Sequence, residues 1–295
     1  MTKSRFRADG DQSRVSETSL DAFRLVRTGK TYDLSSGWWP GMPILPAHPP
    51  FQLMTYRSPP GVRNQRDLGF LVEDNQVNLS FVSEMLMCTT HSGTHIDALA
   101  HITCGPENCW HGGFSANTHL GDFGPLNKDA SELPPLIKRG VMIDVPGALG
   151  VPHLAPHQPI RRTELQQALT RQGCEVKTDD VVLVRTGMMM DWPDAQRMEA
   201  SAGAGLDLDG AEWLVERGVC AVGGDTVALE VVPSGRPGDP QPVHRYLIQE
   251  QGVLIMEWVF MEDLARDGVY EFLFICLPLS IKGATGSLIR PLAIG

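Results

Sequence analysis

Apolar residues along the chain gather into short runs bounded by Gly, Pro or Asp, which is the spacing of strands rather than of long helices. The early runs cover 51–56, 76–82 and 84–90. Later ones cover 140–145, 180–186, 219–222, 253–257, 271–277 and 288–294, all rich in Val, Ile and Phe. Helical periodicity appears between the later runs. Thr163-Glu164-Leu165-Gln166 reads as a capping box, with Leu165, Ala168 and Leu169 on one face and Gly173 as a stop. The stretch 209–217 repeats the pattern, with Asp209 as the cap, Ala211, Leu214 and Val215 inside, and Gly218 at the end. Residues 244–251 and 262–267 read as short helices. A strand-rich first third followed by alternating strands and helices predicts an α/β fold. It is read as a single domain over 21–295 with a mixed β-sheet rather than a regular parallel barrel. Residues 1–20 are polar and read as a mobile N-terminal arm.

The stretch 37–50, GWWPGMPILPAHPP, breaks this periodicity and predicts an irregular loop. Its Trp38, Trp39 and Leu45 need cover. They either pack against the domain or form the wall of a binding pocket. A net charge of -10 argues against nucleic acid or an anionic membrane as partner, and no basic stripe offsets it. The polar N-terminus lacks the apolar segment of a signal peptide, and no stretch approaches eighteen apolar residues. The six cysteines are scattered, mostly inside apolar runs, as expected for buried, reduced thiols in a cytoplasmic protein. Cys104, Cys109 and His111 supply three donors of a zinc knuckle and lack the fourth.

One segment carries chemistry. His91-Ser92-Gly93-Thr94-His95-Ile96-Asp97-Ala98-Leu99-Ala100-His101 places three imidazoles and a carboxylate within eleven residues. Those are the donors a divalent transition ion takes. Gly93 and the β-branched Thr94 argue against a helical metal motif. In an extended chain residues 91, 95 and 97 share a face, because the side-chain period is two. Ala98-Leu99-Ala100 favours helix, which would set His101 one turn beyond Asp97, near the ion without binding it. Three protein ligands leave positions open for water and substrate. A carboxylate among them, with no thiolate, fits Mn or Zn. His48, His111, His119, His153 and His157 have no such neighbours and read as surface or loop residues.

This segment resembles the H-x-G-T-H-x-D-x-P-x-H signature of the cyclase family, which includes bacterial kynurenine formamidases and isatin hydrolases. Leu99 stands where the family has Pro. His244-Arg245-Tyr246-Leu247 with 252–257 is similar to the family's H-x-x-L-L…G-I-x-I-x-E segment, Gly224-Asp225-Thr226 to its G-x-D-T turn, and 278–291 to the closing loop of its longer members. The resemblance runs from about Tyr32 to Ile294. It implies a swivelling β/β/α fold, His91, His95 and Asp97 as metal ligands, and His101 as the acid/base group. It also implies His244 and Glu257 as groups that complete or bridge a second ion, so one or two ions, in a homodimer or homotetramer. Leu45 stands where formamidases carry a substrate-stacking Trp, and Ala228 where the family has a Ser. The expected activity is metal-dependent hydrolysis of a C–N bond in a small amide: a cyclic amide, a lactam or an N-acyl arylamine. Glu257 serves there as ligand or proton carrier, and Trp38 and Trp39 stand in for the missing ring at 45. Alternatives are lactone or ester hydrolysis, a metal-assisted cyclase or lyase, and a metal-dependent binding protein. For Glu257, set in an apolar stretch, the competing reading is a salt bridge to Arg185 or Arg290.

Overall fold

The Val- and Ile-rich runs in the middle of the chain lie side by side as the parallel centre of a nine-stranded sheet. The computed structural model describes residues 20–295, so the expected N-terminal arm lies outside the described residues except for Leu20. The strands of the sheet are β1 (Thr31–Asp33), β2 (His95–Asp97), β3 (Leu136–Asp144), β4 (Val181–Arg185), β5 (Ala221–Gly224), β6 (Leu254–Glu257), β7 (Glu271–Cys276), β8 (Gly286–Leu288) and β9 (Leu292–Ile294). Their spatial order is β1-β9-β7-β3-β4-β5-β6-β2-β8. β3 to β6 are mutually parallel. β7 and β9 on one flank, and β2 and β8 on the other, run antiparallel to their neighbours. Every residue of β4, β5 and β6 is buried, as expected for parallel strands covered on both faces.

Helix α1 (Arg162–Gln172) buries Leu165, Ala168 and Leu169 and ends on Gly173, as its periodicity predicts. Its cap differs. Glu164 accepts a hydrogen bond from the Arg161 backbone N–H at 2.8 Å, so the box starts two residues earlier than expected. Helix α2 (Leu208–Glu216) is capped by Asp207 rather than Asp209. Helix α3 starts at Pro242–His244 and continues as a wider, π-type stretch over Arg245–Gln251, closed by Gly252. Helix α4 is Glu262–Asp267.

Two expectations fail around the first third. The run 76–82 is not a strand. The Asn75 side chain ties the carbonyls of Leu71 and Leu79 and the N–H of Leu79, holding the chain in a loop. Ala98-Leu99-Ala100 is not helical either. The His101 N–H donates to the Ala98 carbonyl at 2.9 Å, which closes a tight turn, while Ala98 and Ala100 bond to Thr285 and Lys128. Neighbouring segments claim the backbone that a helix would have needed. The expected strand at 288–294 divides into β8 and β9. Outside the main sheet, Gln52–Arg57 and Ser83–Met87 pair as a separate two-stranded ribbon. Among the described residues, no helix is long and apolar enough to cross a membrane.

Candidate metal centre

The centre is built around a turn followed by a very short strand. Gly93 takes φ +54, and a Cβ there would come within 3.0 Å of Ser36 Oγ, Met42 Cε and Trp38 Nε1. Only glycine suits both the backbone and the space. The Trp38 indole donates to the Ser92 carbonyl at 2.7 Å, and Thr94 exchanges hydrogen bonds with Ser36. The turn therefore points His91 back over β2. Residues 91–97 are not one extended strand; the shared face arises from this reversal together with β2.

β2 then pairs on both sides. His95 lies opposite Glu257 of β6 and Leu288 of β8, and Asp97 lies opposite Gly286. Register alone brings His95 and Glu257 together across the antiparallel pair. A Cβ on Gly286 would stand 2.7 Å from His91 Cε1, so glycine is what lets that ring lie against β8.

The distances are those of a single cluster. His91 Nδ1 lies 2.9 Å from Asp97 Oδ1. His95 Nε2 lies 3.6 Å from Asp97 Oδ1 and 3.4 Å from Glu257 Oε2. His244 Nε2 lies 3.1 Å from Glu257 Oε1 and 3.9 Å from Asp97 Oδ2. Donor atoms of His91, Asp97 and His101 lie within 4.8 Å of one another, as do those of Asp97, His244 and Glu257. Asp97 belongs to both groups.

Each of three imidazoles is held by one ring nitrogen and offers the other. His95 Nδ1 is bound to the Gly93 carbonyl at 2.7 Å, His91 Nε2 to Thr285 Oγ1 at 3.0 Å, and His244 Nδ1 to Glu230 Oε1 at 2.5 Å. Glu230 also accepts the backbone N–H groups of Val243 and His244. That is the outer shell by which proteins orient metal-ligating histidines. The inward nitrogens face two carboxylates.

Asp97 is 1% exposed, and neither of its oxygens has a hydrogen-bond partner. His91 Nδ1 is also without one; it approaches Asp97 closely but is not aligned for a hydrogen bond. Orphaned buried groups of this kind are rare and costly. A divalent cation among these atoms would satisfy all three, so the donor set fits a metal.

The electrostatics agree. Burial pushes the Asp97 carboxyl up, but the imidazoles of His101, His91 and His95 outweigh it and hold it far below the carboxylate range. Burial pushes His244 down, yet Glu230 and Glu257 hold it up at about 10. The field that favours a proton there also favours a cation. Burial dominates at His101 and takes it down to about 4, against the pull of Asp97. His101 is thus a neutral base at neutral pH, its ring stacked on His91 with centroids 4.1 Å apart.

These groups open into a cleft of about 370 Å³, counted with its solvent-open mouth. Leu45, Val227, Ala228 and Trp258 supply its apolar lining, and His48, Gln241 and the cluster its polar one. Of the three loop residues expected at the pocket, Leu45 lines it. Trp38 serves the Gly93 turn, and Trp39 packs edge-on against Trp192 at 5.6 Å. His48, expected as a surface or loop residue, lines the cleft and lies parallel to His91 at 5.6 Å. Arg185 is taken by Asp144 and Glu262, and Arg290 by Asp33, which leaves Glu257 to the histidines.

Glu230 and Trp258 were not anticipated. Glu230 had a signal: it is a lone carboxylate in the apolar run Ala228-Leu229-Glu230-Val231-Val232, the argument already applied to Glu257. Trp258 has φ +55, unusual for a bulky residue, and is held there by bonds from its N–H to Thr226 and from Thr94 to its carbonyl.

The Cyclase family model, described as "Putative cyclase", matches residues 32–231. Cyclase-like protein 2 of Arabidopsis thaliana is 26% identical over 269 residues, covering 90% of this chain and 79% of that protein. Cyclase-like protein 3 of Oryza sativa subsp. japonica is 25% identical over 213 residues, covering 72% of this chain and 65% of that protein. A crystal structure of a novel cyclase superposes with a TM-score of 0.79 at 26% identity, covering 93% of this chain and 90% of that one. Isatin hydrolase A from Ralstonia solanacearum shares the fold at a TM-score of 0.65 and 20% identity, over 90% of this chain and 91% of that one. With the family model matching over more than half of its length, the chain belongs to the Cyclase family.

Proposed function

We propose that the chain is a metal-dependent hydrolase that cleaves the C–N bond of a small amide. The observation that carries this reading is the pair of partnerless buried oxygens on Asp97, ringed by imidazoles whose outer nitrogens are already tied. Solved relatives named as isatin hydrolases, and one as a potential metal-dependent hydrolase with cyclase activity, support it. His91, His95 and Asp97 would hold one ion. Asp97, His244 and Glu257 would hold or bridge a second. The oxygen-and-nitrogen donor set suits Mn or Zn.

Such an ion supplies Lewis acidity toward a carbonyl and makes water acidic enough to react near neutral pH. The chain's own groups do the rest. His101, neutral and facing the cleft, accepts a proton from the attacking water and returns it to the leaving nitrogen. Glu257 is the nearby second carrier. Leu45, Val227 and Trp258 hold the apolar body of the substrate against one wall. The reading includes a homodimer or homotetramer, supported by the apolar ribbon left exposed outside the sheet.

The test is metal analysis of the purified chain, followed by a panel of cyclic amides, lactams and N-acyl arylamines with added Mn or Zn. Tight stoichiometric metal and hydrolysis of one panel class are expected. A metal-free protein that turns over an amide at the same rate with chelator would overturn the reading.

A further inference from the structure

Nine residues lie between His101 and His111, and they carry a pair of thiols outside the metal centre. Cys104 and Cys109 face each other across an isolated antiparallel bridge. Each N–H donates to the other's carbonyl, at 3.0 Å from Cys104 and 2.9 Å from Cys109. In such a hydrogen-bonded pair the Cα atoms are about 5.5 Å apart, inside the range that a disulfide spans. Both side chains are half-buried and both are free thiols. The link between them is exposed and compliant. Gly105 and Asn108 are both at positive φ, and Gly105 has open space around it.

This pairing changes the meaning of the Cys-rich segment. A zinc knuckle needs a further ligand, and His111 instead directs Nδ1 to the Gln249 carbonyl at 3.0 Å. Two cysteines in direct cross-strand register are chemically coupled to each other.

We propose that Cys104 and Cys109 form a redox-active dithiol that closes to an intramolecular disulfide on reaction with a low-molecular-weight disulfide. The Cys109 thiolate attacks one sulfur of R–S–S–R, so a Cys109–S–S–R bond forms and RS⁻ leaves. The Cys104 thiolate then attacks the Cys109 sulfur and expels the second RS⁻. Two protein thiols are oxidised by two electrons, one small disulfide is reduced to two thiols, and the two protons end on the departing sulfurs. Burial pushes the Cys104 thiol up, and the same two steps balance with the order of entry reversed. A hydrogen-bonded cross-strand pair sets its Cβ atoms wider than a relaxed disulfide prefers, so the closed form is strained and readily reduced. Strained bridges are the labile ones.

The experiment uses the full chain with oxidised glutathione as probe, followed by mass spectrometry of the intact protein and its peptides. In the wild type the expected product is a bridge between Cys104 and Cys109, read as the loss of two hydrogens and two titratable thiols and reversed by dithiothreitol. In Cys104→Ser the reaction stops halfway, and glutathione stays on Cys109. A wild-type protein that carries glutathione on either cysteine without closing, or in which both thiols remain reduced, overturns the proposal.

Discussion

Two regions of this molecule invert the usual arrangement of polar and apolar groups, in opposite senses. Around β2, charged and imidazole side chains are buried: His91, His95, Asp97, His244, Glu230 and Glu257 are all at or below 7% exposure. In the ribbon of Gln52–Arg57 and Ser83–Met87 the inversion runs the other way. Leu53, Met54, Met85, Leu86 and Met87 are each 47–56% exposed, on a two-stranded sheet with neither face covered. A buried carboxylate without a partner and an exposed ribbon of Leu and Met are both unfavourable in the isolated chain. On the function proposed above, a small cation resolves the first and a large surface the second, and the sign of the inversion separates the two.

The largest expected effect comes from the buried side. Asp97→Asn removes the counter-charge of the surrounding imidazoles. Metal content and turnover should fall below detection, and the melting temperature of the metal-free protein should fall as well, because the depressed Asp97 carboxyl stabilises the fold when ionised. Chelation of the wild type should lower its melting temperature, because an ion at a hundred times its Kd contributes about 2.7 kcal/mol to stability. An Asp97→Asn protein that keeps its full metal content would make Asp97 a structural residue and break the comparison.

Next comes proton transfer. His101→Gln should keep its metal and lose on the order of 10²–10⁴ in kcat. Near-normal kcat would reduce His101 to a packing role against His91. Smaller again is the wall of the cleft. Trp258→Leu should raise KM for a planar substrate by roughly 10-fold, the scale of one aromatic contact, with kcat changed less. An unchanged KM would show that the substrate leans elsewhere.

On the exposed side, Leu86→Lys should leave circular dichroism intact and shift the oligomer toward monomer in light scattering. An unchanged mass would remove the ribbon as the contact surface. The smallest effect lies outside both regions, where Arg290 holds the Asp33 carboxyl below its ordinary 3.8 against the opposing push of burial. A depressed carboxylate stabilises the fold above its unfolded value and loses that contribution as pH falls through the folded one. Arg290→Gln should therefore lower stability only slightly at neutral pH, as expected for so exposed a pair. The difference should begin to shrink in urea melts as pH drops under 3.8 and vanish only below the folded value.

The sheet's centre was legible because β4, β5 and β6 are buried on both faces, so their composition alone marks them. The stretch 76–82 has strand composition in Val77, Leu79 and Val82, but all three are exposed and the Asn75 side chain ties Leu79 into a loop. The metal-binding chemistry of 91–101 was readable from donor types crowded into one segment. Its geometry was not, because the reversal at Gly93 and the turn at Ala98 are set by Ser36, Trp38, Lys128 and Thr285, all distant in sequence. His48 and Trp258 stayed hidden for the same reason. A residue in a Pro-rich loop, or one just past a strand end, has no local pattern that points it into a cleft.

Thr285 holds His91 across 194 positions of chain, and Gly286 gives that ring its place against β8. Ribosomal synthesis adds roughly 5–20 residues per second. The imidazoles and Asp97 therefore leave the ribosome many seconds before the strand that completes their frame. Until then His91 lacks both the hydroxyl that ties its outer nitrogen and the strand against which its ring lies, so the frame around the cluster is complete only once the C-terminal strands have been made and folded.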